Sequence, residues 1–73
     1  MREAGTIRER IFQSLIQRYK ADGEAALVEI DALLRGDVVP GHTVQTADID
    51  KLLAKVADAE EKMATLRRHY GTN

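Results

Sequence analysis

The chain has 73 residues, 44% of them apolar and 32% charged, with 11 Lys and Arg against 12 Asp and Glu. That length allows one domain, residues 1–73, and the composition is too apolar for an intrinsically disordered chain. With no Cys, disulfides, thiol chemistry and Cys-based zinc sites are excluded. No apolar run reaches the ~18 residues of a membrane span, and no secretory signal is visible at the N-terminus, so a cytoplasmic or virion location is expected.

The first predicted element runs from Thr6 to about Arg35. Its apolar residues, from Ile7, Ile11, Phe12, Leu15, Ile16 and Tyr19 to Ala26, Ile30, Leu33 and Leu34, recur mostly at steps of three and four. That spacing is the stripe of an amphipathic helix. Thr6 followed by Glu9 three residues later has the pattern of a capping box, and Gly36 reads as the stop. Gly23 costs ~1 kcal/mol relative to Ala inside a helix. The stripe nevertheless keeps its phase across it, which favours one long helix, bent at Gly23 or unbroken, over two short ones.

Residues Gly36 to Gln45 hold the turn chemistry. Pro40-Gly41 is a turn dipeptide, and Val38, Val39, Thr43 and Val44 around it favour extended backbone. A minimal β-hairpin or an irregular loop both fit, and the loop is the expectation because a lone two-stranded hairpin is marginal in water.

The last element starts at Thr46, an N-cap candidate, with Asp48 and Asp50 near the positive end of the helix. Its stripe is Ile49, Leu52, Leu53, Val56, Ala59, Met63, Leu66 and Tyr70, and Gly71 follows. Arg67, Arg68 and His69 sit where the helix dipole favours cations. Two long helices and a connector of about ten residues make an all-α, antiparallel helical hairpin. In it Leu53 and Val56 are expected to face Leu33, Ile30 and Ala26. The longer first helix overhangs the second, exposing Ile7, Ile11 and Phe12. A hairpin has no third layer for its stripes, so self-association or docking on a protein partner is expected.

Charge is unevenly distributed. Residues 1–20 hold five basic and two acidic side chains, 21–50 one and seven, and 51–73 five and three. Folding brings both basic segments to one end, where Arg8, Arg10, Arg67, Arg68 and Tyr70 form a candidate interaction cluster with the apolar Ile7, Ile11 and Phe12.

Catalytic chemistry finds little footing. Ser14 is the single Ser, and His42 and His69 fall at opposite ends of a hairpin, too far apart to share a metal. Neither catalysis nor a cofactor or metal is expected. Contact with nucleic acid would rest on the basic end within an assembly. Membrane-surface binding is opposed by Glu9, Asp22, Glu24, Glu29 and Asp31 on the first helix.

IDALLRG at residues 30–36, then DVV, a turn, and TVQTADIDKLLAKVADAEEKM before LRR, resembles the small head–tail joining proteins of tailed phages, the W type of lambda-like phages. The matching positions are Leu33, Leu34, Gly36, Val39, Val44, Thr46, Asp48, Ile49, Leu52 and Glu60, within residues 26–70. The chain departs from that family in a shorter connector, a longer first helix and a basic tail reduced to Arg67 and Arg68. The resemblance implies a structural protein that forms a ring on the portal and helps retain packaged DNA. The expected role is therefore a non-enzymatic assembly or adaptor subunit, with a phage connector as its most concrete form. The alternatives are a small helical regulator or inhibitor of a protein partner (a secretion chaperone, antitoxin or anti-defence protein) and a DNA-associated dimer.

Overall fold

The computed structural model describes residues 6–36 and 46–71. They form two helices, α1 (Ile7–Leu34) and α2 (Thr46–Tyr70), packed against each other as an all-α hairpin. At ~1.5 Å per residue the 28 residues of α1 span ~42 Å and the 25 of α2 ~38 Å. The expected β-hairpin or loop over Val38–Val44 lies outside the described residues.

Local signals set the ends of α1. The Thr6 hydroxyl accepts from the Glu9 N–H, and the Glu9 carboxylate accepts from the Thr6 N–H, both at 3.1 Å. This capping box satisfies two of the amide groups that a helix start leaves unpaired. At the other end Gly36 takes a φ of +83°, where a side chain would be strained, and its N–H donates to the Leu33 carbonyl at 3.1 Å. The second helix begins at Thr46 itself. Thr46 is thus its first helical residue and not the N-cap expected, and the cap position falls on residue 45, outside the described residues.

α1 is continuous through Gly23. The glycine is buried, and a Cβ placed on it would lie 3.3 Å from the Ala59 Cβ. Its place in the helix is therefore where α2 comes nearest. From that contact the packing follows a seven-residue repeat with steps of three and four. In α1 the repeat is Phe12, Ile16, Tyr19, Gly23, Ala26, Ile30 and Leu33; in α2 it is Ile49, Leu52, Val56, Ala59, Met63, Leu66 and Tyr70. Every one of these is buried or half-buried except Tyr70. Starting from Gly23 against Ala59, the antiparallel register sets Ala26 level with Val56, and Ile16 level with Leu66. Small residues occupy the middle of the seam and larger ones its two arms.

The repeat corrects one expected contact. Leu53 does not face Ile30 and Leu33; it is 53% exposed. Leu52 occupies the seam position between Ile49 and Val56, and Leu53, one residue on, turns ~100° away onto the flank of the seam. Leu34 lies beside Leu33 in the same way and is likewise exposed.

Candidate functional site

The seam divides the surface of the hairpin into two flanks and a back, and each carries different chemistry. On one flank α1 presents Leu15, Asp22 and Glu29, and α2 presents Lys55 and Lys62. A shallow groove of about 380 Å³ runs here, lined by Tyr19, Asp22, Glu29, Lys55, Asp58 and Lys62 among others. The Lys62 ammonium bonds the Asp58 carboxylate at 3.0 Å, one helical turn away. It also stands 5.5 Å from the centre of the Tyr19 ring, a cation–π contact across the two helices. The hydrogen bond and charge of Asp58 raise the Lys62 pKa above its ordinary value, and Tyr19 and Asp22 add to the rise. Three carboxylates, Asp22, Glu29 and Asp58, and two ammonium groups, Lys55 and Lys62, thus share this groove.

The opposite flank has a different character. Leu27 on α1 and Leu53 on α2 stand within two residues of the same level, ~3 Å, both about half exposed, with Leu34 a further two turns toward the end where α1 meets the connector. Lys20 and Glu60 share a level one repeat nearer the other end.

The open end, where α1 starts and α2 finishes, holds the residues that sequence reasoning singled out. The register puts Tyr70 level with Phe12, so Ile7 and Ile11 extend past the end of α2 and are exposed, as the expected overhang requires. Phe12 is half-buried in the seam instead of exposed, because it holds a seam position. The Arg8 guanidinium lies 6.0 Å from the centre of the Tyr70 ring, and the His69 ring stands tilted against Tyr70 at 6.2 Å. Arg10, Arg67 and Arg68 are exposed. The structure therefore joins Arg8 to Tyr70 and sets the other arginines on the two helices of the same end.

Among the described residues no group of three or more His, Asp or Glu side chains could hold a metal ion, and no helix is long and apolar enough to cross a membrane. No polar or charged side chain there is buried. The half-exposed Leu27–Leu53 pair was missed by sequence reasoning, which placed Leu53 in the seam and gave Leu27 no role. The signal that would have found it is the strict three–four spacing, which leaves residues 27 and 53 one step outside it.

The chain matches no protein-family model, no curated protein and no solved structure.

Proposed function

We propose that this chain is a non-enzymatic assembly or adaptor subunit, a helical hairpin whose role is to pack apolar faces against further protein. One observation carries the reading. Among the described residues only four apolar side chains are buried, Ile16, Ala26, Val56 and Ala59, while seven large ones are 47–74% exposed. Two of the four are alanines. So small a core barely offsets the conformational entropy lost in ordering two long helices. Covering the exposed leucines, isoleucines and valine with another chain adds ~25 cal/mol for each Å² removed from water.

The groove is shallow, and its Lys62 ammonium is held by Asp58 of the same helix and by the Tyr19 ring, which supports a non-catalytic role. A head–tail joining subunit is the most concrete form of this proposal. The antiparallel hairpin and the arginines gathered at its open end support it, since a ring that meets DNA needs repeated contacts between copies and a basic edge. The second reading is a helical regulator that docks on a different protein. It is favoured by Ile7 and Ile11, which project past α2 and would enter a groove on a partner. Both readings place the protein in the cytoplasm or a virion.

Sedimentation equilibrium across the micromolar range tests the proposal. Particles of more than one chain, with a melting temperature that rises with concentration, are expected. A monomer whose melting temperature is the same at every concentration removes the assembly reading and leaves the docking one, which then predicts capture of a partner through Ile7 and Ile11.

A further inference from the structure

At the open end exposed apolar and charged side chains stand together without a local reason. Ile7 and Ile11, 74% and 56% exposed, lie one turn apart on one face of α1, beyond the end of α2. At ~100° per residue Arg8 falls to one side of that pair and Arg10 to the other. Arg67 and Arg68 come from the last turn of α2. Against these four arginines stands the acid Glu9, whose carboxylate is already taken by the Thr6 N–H.

Helix electrostatics accounts for Arg67 and Arg68, which sit where the dipole favours cations, but not for Arg8 and Arg10, which sit at its positive end. Among the described residues none of the four is ion-paired, and Arg8 rests on the Tyr70 ring. Their type is selective too. Lys20, Lys51, Lys55 and Lys62 all lie farther along the hairpin, so every cation of this end is an arginine. Arginine is enriched and lysine depleted where proteins meet, because a guanidinium is weakly hydrated and grips a carboxylate through two parallel N–H bonds. An apolar pair between arginines has the anatomy of a small interface, with a centre that leaves water and a charged rim.

Charge then selects the occupant. A second copy that met this face with its own would set arginine on arginine. Neither flank of a second copy offers an acid border. Asp22, Glu29 and Asp58 share theirs with Lys55 and Lys62, and on the other flank Glu24, Asp50 and Glu60 lie with Lys20 and Arg67 while Asp31 bonds Arg35. Phosphates would take the arginines and give nothing to the isoleucines. We propose that the outer face of the first turns of α1 docks on a different protein, on an apolar surface bordered on both sides by carboxylates. Ile7 and Ile11 enter that surface, Arg8 and Arg10 pair with its borders, and Arg67 and Arg68 raise the positive potential that steers the encounter. This deepens the docking reading of Ile7 and Ile11 and rests on it.

The probe is a fluorescein-labelled amphipathic helical peptide with a leucine stripe flanked on both sides by glutamates. One control peptide replaces the glutamates by lysines, and another replaces the leucines by serines. Fluorescence anisotropy reads binding to the full chain, with the helix content of each variant checked by circular dichroism. The acidic leucine peptide is expected to bind, less tightly as salt rises, and each control to bind about tenfold more weakly or worse. The pair Ile7→Ser and Ile11→Ser, and separately the pair Arg8→Gln and Arg10→Gln, are each expected to weaken binding about tenfold or more, while Leu53→Ser leaves it unchanged. Failure of the acidic leucine peptide to bind overturns the proposal. Binding that needs the isoleucines but is indifferent to the charge of the peptide overturns the acid border and leaves the docking reading intact. Binding lost in Leu53→Ser and unmoved in the isoleucine variant removes the docking reading as well. Duplex DNA of about 20 base pairs that binds more tightly than the peptide, and as well to the isoleucine variant as to the wild type, assigns the arginines to phosphates and overturns the protein partner. Wild-type particles in sedimentation that fall apart in the isoleucine variant would make the occupant a second copy, which also overturns it.

Discussion

The two flanks of this hairpin solve the same problem by opposite means. Each must protect the edge of a thin seam from water. The groove flank does so with charged side chains, as where the Lys62 ammonium stands over the Tyr19 ring and bonds Asp58. The leucine flank leaves apolar surface open at Leu27, Leu34 and Leu53. The charged solution is complete within one chain and gains little from a neighbour. The apolar one is completed only by something that covers it. The residues beside the seam decide the outcome: Asp22 and Glu29 on α1 with Lys55 and Lys62 on α2 for one flank, Leu27 and Leu34 with Leu53 for the other.

The comparison breaks most decisively at the leucines. Replacing Leu27 and Leu53 together by Lys removes two apolar side chains per copy from the surface that assembly would cover, each worth ~1.5–3 kcal/mol when fully buried. Self-association is expected to weaken by about a thousandfold or more, at ~1.4 kcal/mol for each tenfold. Sedimentation equilibrium measures it. An unchanged association constant would show that the leucine flank is a solvated surface.

The second test compares the seam with the flank. Ile16 is 7% exposed, so Ile16→Ala is expected to cost ~2–5 kcal/mol at any concentration. Leu53→Ala behaves differently. At dilution, where single chains dominate, its cost is expected to stay under ~1.5 kcal/mol, since only part of the side chain is covered. At high concentration it approaches the seam value. Thermal melts of both variants over a hundredfold dilution range separate the two behaviours. A Leu53→Ala effect independent of concentration would mean that no second copy covers it.

Gly23 gives a smaller effect whose sign is informative. Alanine there gains up to ~1 kcal/mol of helix propensity. Its Cβ would meet the Ala59 Cβ at 3.3 Å, tighter than ordinary contact by a few tenths of an ångström. The two terms nearly cancel, and Gly23→Ala is expected to change stability by less than ~1 kcal/mol. Gly23→Leu, which pries the helices apart and loosens both flanks, is expected to cost ~1–3 kcal/mol. Chemical denaturation checks both. A neutral Gly23→Leu would mean that the helices do not meet there.

Much of the fold was legible in local chemistry. Thr6 with Glu9, the phase of the stripe from Ile11 to Leu33, and Gly36 after Arg35 each specify a feature that the structure contains. The seam was less legible, because adjacent apolar pairs such as Leu33–Leu34 and Leu52–Leu53 leave the phase uncertain by one residue, and one residue is a quarter of a turn. Gly23 was harder still. Read along one helix it is a defect, and only a second helix against Ala59 gives its missing side chain a reason. Of the candidate site, the open end was legible from charge alone, and Arg8 and Tyr70 do come together. The leucine flank was not, since an exposed leucine and a buried one look alike until the seam has been placed.

The smallest effect belongs to the charged flank, and pH isolates it. The Lys62 ammonium is held mainly by Asp58, with Tyr19 and Asp22 adding to the rise in its pKa. A pKa raised in the folded chain means that folding favours the protonated form. That stabilisation is fully present below the pKa of an unfolded lysine, ~10.4, and is lost as pH rises through the higher folded value. Both partners of the pair are more than half exposed, so salt screens them and the contribution is minor. The melting temperatures of the wild type and of Lys62→Gln should therefore differ by a small, constant amount from pH 6 to 9, begin to approach near pH ~10.4, and meet only above the raised folded value. Added salt should narrow the gap at neutral pH. The difference between wild type and Leu53→Ala, measured at one concentration, should show neither behaviour, because an alkyl side chain has no titratable proton and no charge. If the Lys62→Gln gap persists at high pH, the lysine stabilises the flank through its stem on Tyr19, and the groove is held by the same apolar force as the leucines opposite.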